Sequence, residues 1–321
     1  MNSAKSLADR LKSNLNAVIF GMDEAIHGIC LALIARGHIL LEGVPGLGKT
    51  LLAKTLARQL DGDFKRIQCT SDMMPSDLTG IHVFNAAQGS FELLRGPLFA
   101  KVVLVDEINR TGPKTQSALL QAMEEGRITL DRATYPLQED FLVIASQNPY
   151  EYEGTFPLLE SQLDRFLLKL TVGYPASDIE KKILRNYAHP GGGHDEEAKA
   201  DLLDPALVAQ ARAEARAVHV ADVIYDYVTA IAQASRAHAA LSLGLSSRGA
   251  LALMRCAKAQ AALRASEFVT PDDVKNVAQA TIAHRLILTP EAVLDGRRSE
   301  DVLSDILAQI EVPRHAVADA G

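Results

Sequence analysis

The stretch GVPGLGKT, residues 43–50, decides the fold. It fits the pattern G-x-x-x-x-G-K-[ST], with Gly43, Gly48, Lys49 and Thr50 in the diagnostic places. Glycines let such a loop fold back so that its backbone N–H groups converge on an anion. The run LLAKTLARQL (51–60) reads as the helix that follows, and its N-terminus adds the positive end of the dipole. HILLEG (38–43) reads as a short buried strand, so strand, loop and helix come in the order the motif requires. In that setting Lys49 reaches the β- and γ-phosphates of a nucleotide, and the Thr50 hydroxyl ligates Mg²⁺.

A second strand bearing carboxylates is expected beside such a loop. VVLVDEIN (102–109) supplies it, as a continuous apolar run ending in Asp106 and Glu107. Apolar residues without alternation mark a parallel strand covered on both faces. Asp106 would hold Mg²⁺ through water, and Glu107 would polarise the attacking water. FLVIASQNP (141–149) reads as another buried strand, with Asn148 at its carboxyl end. Open α/β sheets bind ligands at that edge, which places the Asn148 amide beside the γ-phosphate. Read more simply, Asn148 is a cap before Pro149.

The order of phosphate loop, DE strand, QN strand and LDRF resembles the AAA+ ATPases. Within them, GPLFAKVVLVDEINRTGPKTQSALLQAMEEG, IASQNP, EGTFPLLESQLDRF and AHRL resemble the MoxR family. The similarity runs from about Val18 to about Leu288. It implies an α/β AAA+ P-loop core with a parallel sheet and two inserted β-hairpins, followed by a smaller all-α lid. The whole loop, Gly43, Val44, Pro45, Gly46, Leu47, Gly48, Lys49, Thr50 and Leu51, is then expected to contact ATP. Ile19, Phe20 and Gly21 match the segment that packs over the adenine in AAA+ proteins.

Composition bounds the rest. The chain has 321 residues, 48% of them hydrophobic, with no Trp and 5% aromatics. That suggests roughly two domains with cores of Ala, Leu, Ile and Val. The net charge is −7, with 17 basic and 20 acidic residues in 1–175 and 16 and 20 in 176–321. Neither half has the basic excess of a non-specific nucleic-acid binder. Cys30, Cys69 and Cys256 show no metal-ligand spacing and read as small buried hydrophobes of a reducing compartment. His27 and His38 read as packing or surface residues. MNSAKSLADRLKSNL reads as an amphipathic helix start and not as a signal peptide, and no apolar run has the length of a membrane span. A cytoplasmic protein is expected.

Strand and helix alternate up to Tyr174–Pro175, which predicts a core over 1–175 and a helical lid over 176–321. Two stretches interrupt the core. IHVFNAAQGSFELLRGP (81–97), in an insert over 78–97, and GRITLDRATYPLQED (126–140) each read as a hairpin, or else as surface loop. Phe84, Phe91 and Tyr135 are the candidates there for exposed apolar contact, although each alone reads more simply as packing within its own hairpin. HPGGGHDEE (189–197) reads as a polar loop between lid helices, and Thr270-Pro271-Asp272-Asp273 as a helix start.

Positive charge on the transferring phosphoryl often comes from an arginine finger. By resemblance Arg165 in QLDRF is the finger given to a neighbouring subunit. Arg248 in GLSSRGA matches the second-sensor arginine that contacts the γ-phosphate and couples nucleotide state to lid angle, although Ser247 stands where a proline is usual. Arg110 is a third candidate, in cis or at the subunit interface. A simple surface salt bridge is the alternative for each. A finger given in trans implies a ring of identical subunits, a hexamer by family expectation. The resemblance implies an ATP-driven chaperone that remodels or matures a partner, including metal-dependent enzymes, beside a separate protein with a von Willebrand factor A domain. That domain would have to be separate, because the sequence ends about ten residues after the last lid helix. A nucleic-acid motor of the helicase kind is the alternative, and an intact Asp106–Glu107 pair argues against a non-hydrolysing switch.

Overall fold

The computed structural model describes residues 2–149, 154–188 and 202–313. Two helices, α1 (Ser3–Val18) and α2 (Asp23–Ala35), lead into β1 (Ile39–Glu42), and α3 (Lys49–Gln59) follows the glycine loop. Next come β2 (Phe64–Gln68), the short helix α4 (Pro75–Thr79) and the hairpin β3 (Gly80–Asn85)–β4 (Ser90–Arg95). The strand β5 (Val102–Asp106) precedes α5 (Pro113–Glu125), the hairpin β6 (Arg127–Leu130)–β7 (Ala133–Pro136) and β8 (Leu142–Gln147). A single turn, α6 (Glu160–Leu163), precedes the last core strand, β9 (Leu168–Thr171).

Five of these strands form a parallel sheet of order β2-β5-β8-β1-β9. Period-two alternation sorts its side chains into two cores. Ile39, Leu41, Val102, Leu104, Leu142 and Ile144 face one apolar cluster, which includes α1, α2 and α3. Leu40, Val103, Val105, Val143 and Ala145 face the other, against Leu119, Leu120 and Met123 of α5 and against Phe166. This is why the strands read as unbroken apolar runs.

The helical part comprises α7 (Ser177–Ala188), α8 (Pro205–Ala217), α9 (Asp222–Ala237), α10 (Ser247–Leu263), α11 (Pro271–Ile282), α12 (Pro290–Leu294) and α13 (Ser299–Gln309). The start at Thr270 forms as read: the Thr270 N–H donates to Asp273 Oδ2 at 2.7 Å, and the Asp273 N–H donates to Thr270 Oγ1 at 3.3 Å. The expected polar loop at 189–197 lies outside the described residues.

In one respect the lid departs from an all-α unit. β10 (Leu241–Leu243) and β11 (Ile287–Leu288) pair antiparallel. Strands of three and two residues between long helices leave no periodic signal of their own. The lid also shares its core. Leu7, Leu11, Ile26 and Ile29 belong to the same cluster as Val208, Ile231, Leu253 and Val274. The first N–H groups of α1 are capped from α8: Ser3 and Ala4 both donate to the Glu214 carboxylate at 3.0 Å. Among the described residues no helix is long and apolar enough to cross a membrane.

Both hairpins are present. In β3–β4, Phe84 pairs with Phe91, their rings edge to face at 5.4 Å, and both remain exposed. The β6–β7 turn is tight, with Asp131 in the left-handed region at φ 53°. Of the three candidates, Tyr135 is the packed one, and its partners lie outside its own hairpin. It is half-buried against Phe99, and its hydroxyl lies 3.0 Å from His82 Nε2. His82 Nδ1 lies 2.8 Å from Asp131 Oδ2, so this one imidazole ties the two hairpins together.

Candidate active site

The glycine loop lies at the carboxyl edge of β1, in a cleft of about 380 Å³. Gly43, Pro45, Gly46, Gly48, Lys49, Thr50 and Leu51 line one wall, and Arg66, Gln68, Asp106, Glu107, Ser146 and Asn148 the other. Gly46 and Gly48 sit at φ +84° and +85°, and a Cβ on either would meet nothing within 4 Å. The loop is therefore an open concavity in a conformation that L side chains rarely adopt. Gly43 is needed for a different reason, since a Cβ there would lie 2.3 Å from the Val172 carbonyl oxygen. Val44 is half-buried, and Leu47 packs with Leu51 against the core, so these side chains fix the loop from behind.

Lys49 is buried, and its Nζ donates to the Gly43 carbonyl at 2.9 Å. Burial lowers its pKa, while the charges of Asp106 and Glu107 act the other way.

Asp106 is buried and Glu107 less so. Ser146 Oγ organises the pair, donating to Asp106 Oδ1 at 3.0 Å and accepting from the Glu107 N–H at 3.1 Å. Glu107 itself holds φ 57°, a strained value for a residue with a Cβ. The Ser146 bond ties the Glu107 backbone N–H in that conformation. From β2, Arg66 Nε donates to Asp106 Oδ2 at 2.7 Å and Gln68 Nε2 to Glu107 Oε2 at 2.9 Å. Arg66 Nη2 also donates to Gln68 Oε1 at 3.0 Å, linking the four side chains along one wall of the cleft. Arg110 Nε lies 3.1 Å from Glu107 Oε2 of its own chain, although Arg110 is not among the residues that line the cleft. Asn148 is buried at the end of β8 and lines the cleft.

Three of these residues escape a motif reading. Arg66 and Gln68 stand two apart on one face of the strand beside the DE strand, which was the available signal. Ser146 is a lone hydroxyl in an apolar strand, 1% exposed.

Ile19, Phe20 and Gly21 lie beside the cleft and not in its lining. Ile19 is buried, and Lys182 Nζ sits 4.4 Å from the Phe20 ring centroid. A Cβ on Gly21 would touch Ile179 and Pro175 at 3.0 and 3.4 Å. The segment thus packs on the start of α7, a few residues beyond the Val172 that abuts Gly43.

Arg165 and Arg248 are brought together, but away from the cleft. Arg165 Nε lies 3.4 Å from Glu124 Oε2, and Arg248 Nη1 lies 3.2 Å from Glu124 Oε1. Asp164 Oδ2 is 3.6 Å from Arg248 Nε. Leu167, just beyond, donates its N–H to the His38 carbonyl at 2.9 Å, at the amino end of β1. The phosphate loop begins at the carboxyl end of that strand, so four residues at about 3.3 Å each separate the two. Arg248 is thus held away from its own chain's phosphate loop. The lid brings α10 to the amino edge of the sheet instead.

The residues fit a metal-bound nucleotide. The loop is an open anion cradle, and a hydroxyl beside a buried carboxylate is an oxygen set suited to a hard divalent cation. Comparison with known proteins agrees. Residues 38–168 match the ATPase family associated with various cellular activities (AAA), and residues 233–306 match the AAA lid domain. A crystal structure of a Cytophaga hutchinsonii protein assigned as an ATPase superposes with a TM-score of 0.89, at 35% identity and covering 98% of both chains. The fold and site are those of a AAA+ ATPase, an enzyme that hydrolyses ATP. Across their length the relatives narrow this further. The uncharacterised protein YeaC of Bacillus subtilis (strain 168) is 42% identical over 96% of this chain and 95% of its own. Chaperone MoxR1 of Mycobacterium tuberculosis is 36% identical over 98% and 84%, and Protein MoxR of Methylorubrum extorquens 30% over 96% and 94%. The chain belongs to the MoxR family.

Proposed function

We propose that this chain is the motor subunit of a homo-oligomeric ring, a hexamer by family expectation, that uses ATP hydrolysis to remodel a separate protein partner. One observation carries the ring reading. The two arginines that the family resemblance assigns to the transferring phosphoryl, Arg165 and Arg248, lie at the sheet edge opposite the chain's own phosphate loop. Arginines gathered there serve a neighbour's nucleotide, and a head-to-tail contact of that kind closes a ring.

Within each site the roles divide by position. The loop from Gly43 to Leu51 cradles the phosphates, with Lys49 leaving the Gly43 carbonyl to meet them. Thr50 and Asp106 would hold Mg²⁺, whose charge offsets that of the phosphates. Glu107, its backbone N–H tied to Ser146 and its carboxylate held by Gln68, takes the proton of the attacking water, and Asn148 orients that water. Ile19, Phe20 and Gly21, held against α7, form the apolar side of the purine site. The helices of 176–321 act as the lid.

The remodelling reading rests on the MoxR relatives, one of which is described as a chaperone. An apolar surface on the β3–β4 hairpin supports it: Ile81, Val83, Phe84, Phe91 and Leu94 are all exposed. The family resemblance points to a partner with a von Willebrand factor A domain and to metal-enzyme clients.

Mixing subunits tests the ring. Arg165→Ala and Glu107→Gln rings should each turn over ATP poorly, with a loss on the order of 10³-fold for the arginine. A mixture should recover turnover, because some interfaces pair an intact Glu107 with an intact Arg165. Absence of recovery in a ring shown to exchange subunits would place both residues in one site.

A further inference from the structure

Two guanidinium groups of like charge do not converge unless something negative stands between them. Here that is Glu124, in the last turn of α5. Its Oε2 faces Arg165 from the core at 3.4 Å, and its Oε1 faces Arg248 from the lid at 3.2 Å. The arrangement is anchored on both sides. Arg285, 4% exposed at its side chain, donates from Nε to Asp164 Oδ1 at 2.7 Å and from Nη2 to the Phe166 carbonyl at 2.7 Å. The other Asp164 oxygen then holds Arg248. Arg165 and Arg248 keep 30% and 48% of their side chains exposed, so their outer nitrogens are reachable from outside the subunit.

We infer that Glu124 is a positioning residue for the paired arginines, presetting one guanidinium from the core and one from the lid so that both meet the same anion across a subunit interface. The inference rests on the reading that these arginines serve a neighbour's phosphates. Preset charge is worth more at a reacting centre than charge that must be gathered during the reaction. Glu124 lies away from its own chain's phosphate loop and acts through its two partners. Because it joins a core residue to a lid residue, it also makes the pair sensitive to how the lid sits on the core.

A double-mutant cycle with subunit mixing tests this. Glu124 is 41% exposed, so Glu124→Gln should fold and assemble, which sizing confirms. Its turnover should fall about tenfold while nucleotide affinity stays within about twofold. In an Arg165→Ala, Arg248→Ala background, Glu124→Gln should cost nothing further. Mixed with Glu107→Gln subunits, Glu124→Gln should regain turnover, since the intact arginine station then faces an intact Glu107. Independent, multiplying losses would overturn the inference, as would full activity of Glu124→Gln in a ring that needs Arg165. If Arg165→Ala and Arg248→Ala themselves leave turnover within about threefold of the unchanged chain, the reading of the arginines fails, and that result is told apart by those variants alone.

Discussion

Arg66 Nε sits 2.7 Å from Asp106 Oδ2, on the carboxylate proposed to hold Mg²⁺. The metal and the guanidinium therefore compete for one group. Arg66 is half exposed, so the pair is worth no more than about 1 kcal/mol. Arg66→Ala should tighten Mn²⁺ binding in the presence of ADP by about fivefold, read by the spin resonance of the free ion. Affinity for ADP in EDTA should stay unchanged. Weaker metal-dependent binding in the variant would show that Arg66 holds phosphate and does not guard the carboxylate.

The cradle and the base predict separable losses. Lys49→Ala removes the buried ammonium that faces the loop and should abolish nucleotide binding. Glu107→Gln keeps the shape of the site and should bind ATP while losing hydrolysis. Calorimetric affinity together with phosphate release separates the two. Turnover of Glu107→Gln within about threefold of the unchanged chain would move the base elsewhere.

At the opposite edge of the sheet, His38 holds the core together in its neutral form. The Val143 N–H donates to its Nδ1 at 3.0 Å, and its Nε2 lies 3.1 Å from the Met123 carbonyl oxygen. Burial lowers its pKa to about 4. A histidine depressed in the folded state stabilises above its ordinary pKa of about 6.5, and that stability is lost as pH falls from there toward 4. The loss reaches about 2 kcal/mol at pH 5. Buried His284, held well below its usual range by burial and by Arg285, acts in the same direction. The stability difference between the unchanged chain and His38→Gln in urea should shrink by about 2 kcal/mol between pH 7.5 and 5. A difference independent of pH would show that His38 is not kept neutral.

How much of this was legible in the sequence depends on the range of the interaction. The loop 43–50, the Asp106–Glu107 strand end and Asn148 are local patterns, and the sheet places all three in one cleft. Both hairpins carry local turn chemistry and period-two alternation, so they were legible too. Arg66, Gln68 and Ser146 were not, because their roles arise only when β2 and β8 flank β5. The packing of Tyr135 outside its own hairpin was not legible either, because its partner His82 stands 53 residues away on another hairpin. The place of Arg248 follows from how α10 meets the core, and no spacing within the lid encodes that. Glu124 looked like any acid at a helix end, and only the fold brings it between Arg165 and Arg248.

The β3–β4 hairpin predicts how the partner is held. Ile81, Val83 and Leu94 share one face of the ribbon, and all three are exposed, as are Phe84 and Phe91. Exposed apolar residues gathered on one ribbon mark an interaction surface. Glu107→Gln held with ATP should trap the partner, and linkage requires a partner that prefers the ATP state to tighten ATP binding by the same factor. Capture from the native cell should recover a protein with a von Willebrand factor A domain or a metal-enzyme subunit. Replacing Phe84 and Phe91 together by Ser should weaken that capture about tenfold or more, with nucleotide binding and ring size unchanged. The His82 link to Asp131 and Tyr135 stays in place in that variant, so the hairpin keeps its attachment. A ring that falls apart would assign the two rings to contacts between subunits. Full capture by an intact ring would remove the hairpin from partner binding, and recovery of nucleic acid with a steep salt dependence would replace the remodelling reading by a nucleic-acid motor.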